Sequence, residues 1–231
     1  MSVLLLRLAG PMQSWGTQSR FSHRDTGLEP SRSGVIGLLC AALGRCRDEK
    51  LDDFLPLKMA VRVDREGRFM RDYHTAQEVR RADTTKTPQN TVLSERFYLA
   101  DADFLVGLQG ERPFLEQLDA ALRTPVWVLS LGRKSFVPSL PISEGIHDDE
   151  LIAVLRRWRR HDRAREKLPK QLRYVVEVAY GAGEPRPDVP LSFVIRDRKF
   201  AVRHVKTEFY PSPIPDSESP NVPKQTDSQP A

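Results

Sequence analysis

Only two cysteines, Cys40 and Cys46, occur in the chain. They cannot make a metal-ligand set, and they read as reduced thiols in a helix and its exit. Such usage fits the cytosol. Long hydrophobic runs are missing as well. No stretch approaches the length of a membrane span, and Leu4-Leu5-Leu6 is followed at once by Arg7, which leaves no signal-peptide hydrophobic region. No repeat of solenoid period is visible. No Gly-Lys-Ser/Thr closes a phosphate loop of the Walker kind. Membrane proteins, disulfide scaffolds and solenoids are therefore set aside, and no metal or cofactor motif is present.

What remains is a globular composition: 231 residues, 39% hydrophobic and 29% charged. The formal net charge is +5. The last 21 residues, PSPIPDSESPNVPKQTDSQPA, carry Asp216, Glu218 and Asp227 against Lys224, so this −2 leaves +7 on residues 1–210. That excess points to a polyanionic partner. The tail has too few large apolar groups to order itself, and it is excluded from the fold.

Val3–Leu8 reads as a strand buried on both faces. Gly34–Gly44 reads as a tightly packed helix, N-capped by Ser31 or Ser33 and stopped at Gly44. Met59–Asp64 and Arg68–His74 flank Glu66-Gly67 and read as a hairpin. Thr75 to Asn90 is too long and polar for a turn and reads as a protruding arm or loop. Thr91–Ala100 and Asp103–Leu108 read as strands. Glu111–Arg123 reads as a helix with Leu115, Leu118 and Leu122 on one face. Val126–Leu131 (VWVLSL) reads as the next strand. A helix over about 148–167 and strands near 172–180 and 191–205 complete the chain. Strand, helix, hairpin with insertion, strand, helix, strand is close to the split βαβ ferredoxin-like order. The expected class is α+β: a modified ferredoxin-like palm over 1–145 with an insertion at about 75–100. A small C-terminal addition over 146–210 and the tail 211–231 follow.

Four stretches carry candidate chemistry. The loop from Ser19 to Gly34 leads into a helix N-terminus, where an anion is a natural guest that Arg24 and Arg32 could reach, or it is an ordinary capped loop. Gly132-Arg133-Lys134-Ser135 puts two cations beside a glycine, which suits a phosphodiester backbone or merely a solvated turn. Tyr73 and His74, with Lys86, could cleave RNA by general acid–base chemistry. A histidine at a strand end is more often a hydrogen-bonded structural group. Arg156 to Lys167 is the densest basic run, either a solvated helix face or a phosphate-facing patch.

The segments LLLRLAGPMQSWG, FSHRDTGLEPSRSGVIGLLCAALG, RDYHT, VLSERFYLADADFLVGL and LGRKSFVPSLP fall in an order that resembles the CasD family of type I-E CRISPR Cascade, in the RAMP superfamily. The resemblance covers roughly residues 3–142. It implies an RRM-like RAMP palm with a β-hairpin thumb in a cytoplasmic, non-catalytic subunit. Such a subunit binds the crRNA 5′ handle, abuts the CasC backbone subunit and helps seat the large CasA subunit, with target DNA nearby. RNA-binding residues would be Gln13, Ser14, Arg20, Arg24, Ser31, Arg32, Ser33 and Gly34. To these the strand-end pair Tyr73 and His74 and the turn Gly132, Arg133, Lys134 and Ser135 are added. Arg80, Arg81 and Lys86 would ride on the thumb. The alternative remains a metal-independent ribonuclease using Tyr73, His74 and Lys86. Trp15 is expected to pack its loop against the palm rather than stack on a base.

Overall fold

The computed structural model describes residues 1–17, 22–79, 89–160 and 169–213. The first strand, β1 (Ser2–Ala9), is buried at every position. Its alternating side chains explain why. Leu4, Leu6 and Leu8 enter one core, while Val3 and Leu5 enter another on the opposite face.

After the short strands β2 (Met12–Gln13) and β3 (His23–Arg24) comes helix α1 (Arg32–Leu43). The Ser31 side chain accepts from the Gly34 backbone N–H, and Gly44 closes the helix in the left-handed conformation. Both caps match the sequence. Next follow β4 (Lys58–Arg65), β5 (Arg68–Val79), β6 (Gln89–Ala100) and β7 (Asp103–Gly110). Helix α2 (Arg112–Arg123) buries Leu115, Leu118 and Leu122 as its pattern predicts. The remaining elements are β8 (Ser143–His147), α3 (Leu151–Arg157), β9 (Gln171–Val178), β10 (Glu184–Ser192) and β11 (Lys199–Pro211).

Seven strands form one antiparallel sheet in the order β10-β11-β9-β4-β7-β1-β8. The core beneath α1 and α2 includes Trp15, Phe54, Phe104 and Leu131. The other face is covered by α3 through Leu151, Val154 and Leu155. The sheet runs without a break from the N-terminal strands into β9 and β11 through the β4–β9 pairing. Among the described residues no helix is long and apolar enough to cross a membrane.

Four expectations are corrected. The single strand expected near 191–205 is instead the end of β10 and the start of β11, two antiparallel strands with a connection between them. β4 and β5 do not form a hairpin. Both edges of β4 are occupied, by β7 and β9. Gly67, at φ 74°, lets the chain turn out of the sheet. β5 therefore pairs with β6, from Arg68↔Ala100 to Val79↔Gln89, as an arm of two long strands. The polar stretch from Thr75 is thus ladder as far as Val79, and 80–88 lies outside the described residues.

Val126–Leu131 is not a strand. The Val126 and Trp127 N–H groups donate to the Ala42 and Ala41 carbonyls and so satisfy the end of α1. The outer edge of β1 is taken instead by β8.

The third helix is also shorter than expected. It ends at Arg157, and Trp158 is already extended. Here the second face of the sheet becomes ionic. Arg62 donates to the Leu155, Trp158 and Arg159 carbonyls, and Arg7 to the Arg159 carbonyl at 3.0 Å. Asp64 pairs with both guanidinium groups, and Asp103 and Glu144 also pair with Arg7. Burial disfavours the Arg7 charge, but these carboxylates outweigh it and raise its pKa. Residues 161–168, most of the basic run, lie outside the described residues.

Candidate nucleic-acid interface

The loop after β1 is built inwards. Gln13 is fully buried. Its amide nitrogen donates to the Leu8 and Ala102 carbonyls, and its oxygen accepts the Trp15 indole N–H at 3.2 Å. Ser14 is buried with its hydroxyl on the Asp25 and Phe97 carbonyls. Trp15 packs against the N-terminal turn of α1, where a Cβ on Gly34 would lie 2.8 Å from the indole ring. The packing reading of Trp15 therefore matches the geometry. Gln13 and Ser14 leave the set of surface-facing groups, because their polar atoms already have internal partners.

The start of α1 is likewise occupied from within. The Arg32 N–H donates to Asp188 at 2.7 Å, and Ser31 serves as the cap. The Arg32 guanidinium is buried, pairs with Glu177 at 2.6 Å and donates to the carbonyls of Phe54, Leu55 and Leu57. Burial is the main influence on it and lowers its pKa despite Glu177. An anion at this helix end is thus an internal carboxylate. Arg32 and Ser31 are structural groups, and Ser33 remains half-buried beside them.

The cationic face lies nearby, where three segments meet. β3 runs parallel to β6, with Arg24 opposite Arg96. Arg133 reaches across and donates to the Phe97 carbonyl at 2.8 Å and the Arg24 carbonyl at 3.2 Å. Its pKa is lowered, first by partial burial and then by the charges of Arg96 and Arg24. Asp72 and Asp25 oppose that effect without overcoming it. Three guanidinium groups thus share one place with an excess of positive charge. Arg24, Lys134 and Ser135 are exposed.

Gly132 makes this close approach possible. Its φ is 90°, and a Cβ there would sit 1.7 Å from the Ser14 carbonyl oxygen. Arg96 was not singled out from the sequence, because its significance comes only from pairing opposite Arg24.

Tyr73 and His74 follow each other on β5, so their side chains leave opposite faces of the arm. Tyr73 stands opposite Glu95, and His74 opposite Ser94. The His74 ring lies 3.7 Å from Asp72. The two do not converge on one reacting atom. Arg20, Arg80, Arg81 and Lys86 lie outside the described residues. Among the described residues no group of three or more His, Cys, Asp or Glu side chains is placed to hold a metal ion.

A cleft of about 810 Å³ lies against α1. Its lining includes Ser33, Gly34 and Gly37 on that helix, together with Trp127, Lys134 and Arg198.

An antiparallel α/β sheet with a projecting two-stranded arm and a cationic loop face is the architecture in hand. The chain belongs to the family described as CRISPR-associated protein (Cas_Cas5), whose model matches residues 3–206. Over 160 residues it is 36% identical to the CRISPR system Cascade subunit CasD of Escherichia coli (strain K12), covering 62% of this chain and 70% of that relative. Among solved structures, a chain of a "CRISPR RNA-guided surveillance complex" matches with a TM-score of 0.76 and 35% identity, covering 91% of both chains. A second, titled "Crystal structure of Cas protein", matches with a TM-score of 0.70 and 40% identity, covering 91% of this chain and 97% of the other.

Proposed function

We propose that this chain is a non-catalytic subunit of a Cascade surveillance complex that holds the 5′ handle of the guide RNA. The observation that carries the reading is the convergence of Arg24, Arg96 and Arg133, with Lys134 on the same loop. Guanidinium groups gathered against their own repulsion suit a strand of phosphates, which supplies the missing countercharge. The order β8-β1-β7-β4, with α1 and α2 as the crossovers, supports assignment of a ferredoxin-like RAMP palm. The β5–β6 arm is its thumb. On this reading residues 1–145 form the palm unit and 146–210 extend its sheet; the expected tail over 211–231 lies outside the described residues from 214 on, and Pro211 still belongs to β11.

As a Cascade subunit in the cytoplasm, the chain would abut the CasC backbone subunit and help to seat CasA, with target DNA nearby. Of the expected set, the exposed Arg24, Lys134, Ser135 and Tyr73 and the half-buried His74 remain the RNA-binding candidates. Arg133 and Gly132 shape the face they stand on. The divergence of Tyr73 and His74 argues against the ribonuclease reading.

Co-purification of the tagged chain with its complex tests this proposal. Guide RNA and the backbone subunit are expected in fixed stoichiometry, and repeat RNA incubated with the chain in EDTA should remain intact. A defined cut abolished by His74→Ala would establish the enzyme instead.

A further inference from the structure

The arm leaves the main sheet at one elbow, Glu66-Gly67, between the end of β4 and the start of β5. One side of the elbow packs on the end of β6. A Cβ on Gly67 would lie 2.8 Å from the Ala100 carbonyl oxygen and 2.9 Å from the Ala102 Cβ. The other side is held by Arg173 of β9, whose Nε and Nη2 donate to the two Glu66 carboxylate oxygens at 2.8 and 2.7 Å. Nη1 of the same guanidinium pairs with Glu29 at 2.9 Å, and Nη2 also donates to the Leu28 carbonyl at 3.4 Å. Glu29 lies on the loop between β3, which carries Arg24, and α1. That loop is tied down a second time by Trp15, whose N–H donates to the Thr26 hydroxyl at 2.9 Å and whose carbonyl accepts the Gly27 N–H at 3.2 Å. One guanidinium from the C-terminal strands thus joins the Arg24 loop to the root of the arm.

We propose that Arg173 is a positioning residue for the cationic face: it fixes the arm against the Arg24 loop and so holds Arg24 and Arg96 at the spacing a phosphate strand meets. The strand ladder alone grips the arm weakly at this end, because β2 and β3 each pair with β6 over only two residues. Arg173 adds what the ladder lacks. Its planar fork sets direction as well as distance, which a lysine could not do. The Arg173 and Glu29 side chains are only 16% and 14% exposed, so salt screens their pairing little. The hydrogen bond to Glu66 above all raises the Arg173 pKa, and Glu29 adds to it against the effect of burial. Glu66, Glu29 and the Leu28 carbonyl already occupy Nε, Nη1 and Nη2, so the residue acts through its neighbours and not on the RNA itself. The inference rests on the reading of the cationic face as the seat of guide RNA.

The test titrates the full chain with a fluorescein-labelled single-stranded RNA of the repeat-derived 5′ segment at several salt concentrations. Arg173→Ala and Glu66→Gln should each weaken binding about 2- to 30-fold, the size of coupling carried through a contact network, with the salt slope unchanged. The double variant should bind no more weakly than Arg173→Ala, because both changes break the same contact. Arg173→Lys, which keeps the charge and loses the fork, should fall between Arg173→Ala and the unaltered chain. Amide exchange read without RNA should quicken at Arg68–Arg71 and at Leu28 in Arg173→Ala, while β1 stays protected.

A salt slope smaller by about 0.7 would make Arg173 a phosphate contact and overturn the positioning role. So would additive losses in the double variant. Normal affinity in Arg173→Ala and Glu66→Gln, with binding still weakened by Lys134→Ala, would overturn the positioning role and leave the RNA reading standing. Normal affinity in all three variants would overturn both. Glu66 is 56% exposed, so Glu66→Gln probes the contact in a chain that keeps its core, and melting curves confirm folding.

Discussion

The Asp188 carboxylate accepts the backbone N–H of Arg32 at 2.7 Å, joining two positions 156 residues apart in sequence. The same carboxylate takes both Nε and Nη2 of Arg203, at 2.7 and 2.9 Å. Asp188 therefore anchors the start of α1 and neutralises a buried guanidinium in one contact. Asp188→Ala is expected to destabilise the fold by about 3–5 kcal/mol, because it strands a buried charge. Asp188→Asn, which keeps an acceptor, should cost less. Urea denaturation of the two variants measures this, and equal midpoints for Asp188→Ala and the unaltered chain would refute it.

Arg133 and Lys134 are neighbours with different expected roles. Arg133 ties its loop to β6 and to the Arg24 segment through backbone carbonyls, whereas Lys134 is exposed. Lys134→Ala should lower RNA affinity and reduce the salt slope by about 0.7, the value of one phosphate contact on a single strand. Arg133→Ala should lower affinity and also loosen the arm base, visible as faster amide exchange around Phe97. Indistinguishable salt slopes and exchange patterns in the two variants would contradict this division.

Gly132 cannot take a side chain in place. A Cβ would overlap the Ser14 oxygen, and the φ of 90° already disfavours any residue with one. Gly132→Ala should cost at least about 1–2 kcal/mol of stability and displace Arg133 and Lys134 together. Thermal melting and RNA titration should report both losses, whereas a shift in melting alone would show that the loop tolerates the change.

Asp119 links α2 to β8. It accepts from the Ser143 hydroxyl and pairs with Arg123 at 3.0 Å. Burial acts to raise its pKa, but the hydrogen bonds from Arg123 and Ser143 prevail and hold it below the ordinary 3.8. A depressed folded-state value means this contribution is complete above the unfolded value and is lost as pH falls through the folded one. Asp119→Asn should lose about 1 kcal/mol at neutral pH. Its stability should then fall less steeply in acid below pH 3.8 than that of the unaltered chain. Parallel acid limbs would show that Asp119 is not responsible.

Local chemistry was legible where a residue acts on its near neighbours. The Ser31 cap, the Gly44 stop and the Leu115–Leu118–Leu122 face each follow from spacing within one helix. The site was only half legible. The cations at Arg24 and Arg133 stood out by type, but nothing local reveals that Arg32 is buried against Glu177 and three carbonyls. An arginine at a helix start looks the same whether its donors face solvent or core.

The sequence by itself determined β1, α1, β4, β7 and α2, the two-sided burial of β1 and the positive charge of the body, because periodicity and composition are properties of short windows. Pairing belongs to the tertiary structure. With both edges of β4 occupied, β5 had to find β6, and the carbonyls at the end of α1 drew in the backbone of VWVLSL that looked like a strand. In the GPMQSWG loop, only the fold decided that Gln13 turns inwards to hold Trp15, leaving the outer face to arginines from three separate segments. Each outcome depends on which hydrogen-bonding groups remain unsatisfied once the other elements are in place, and no window of sequence contains that information.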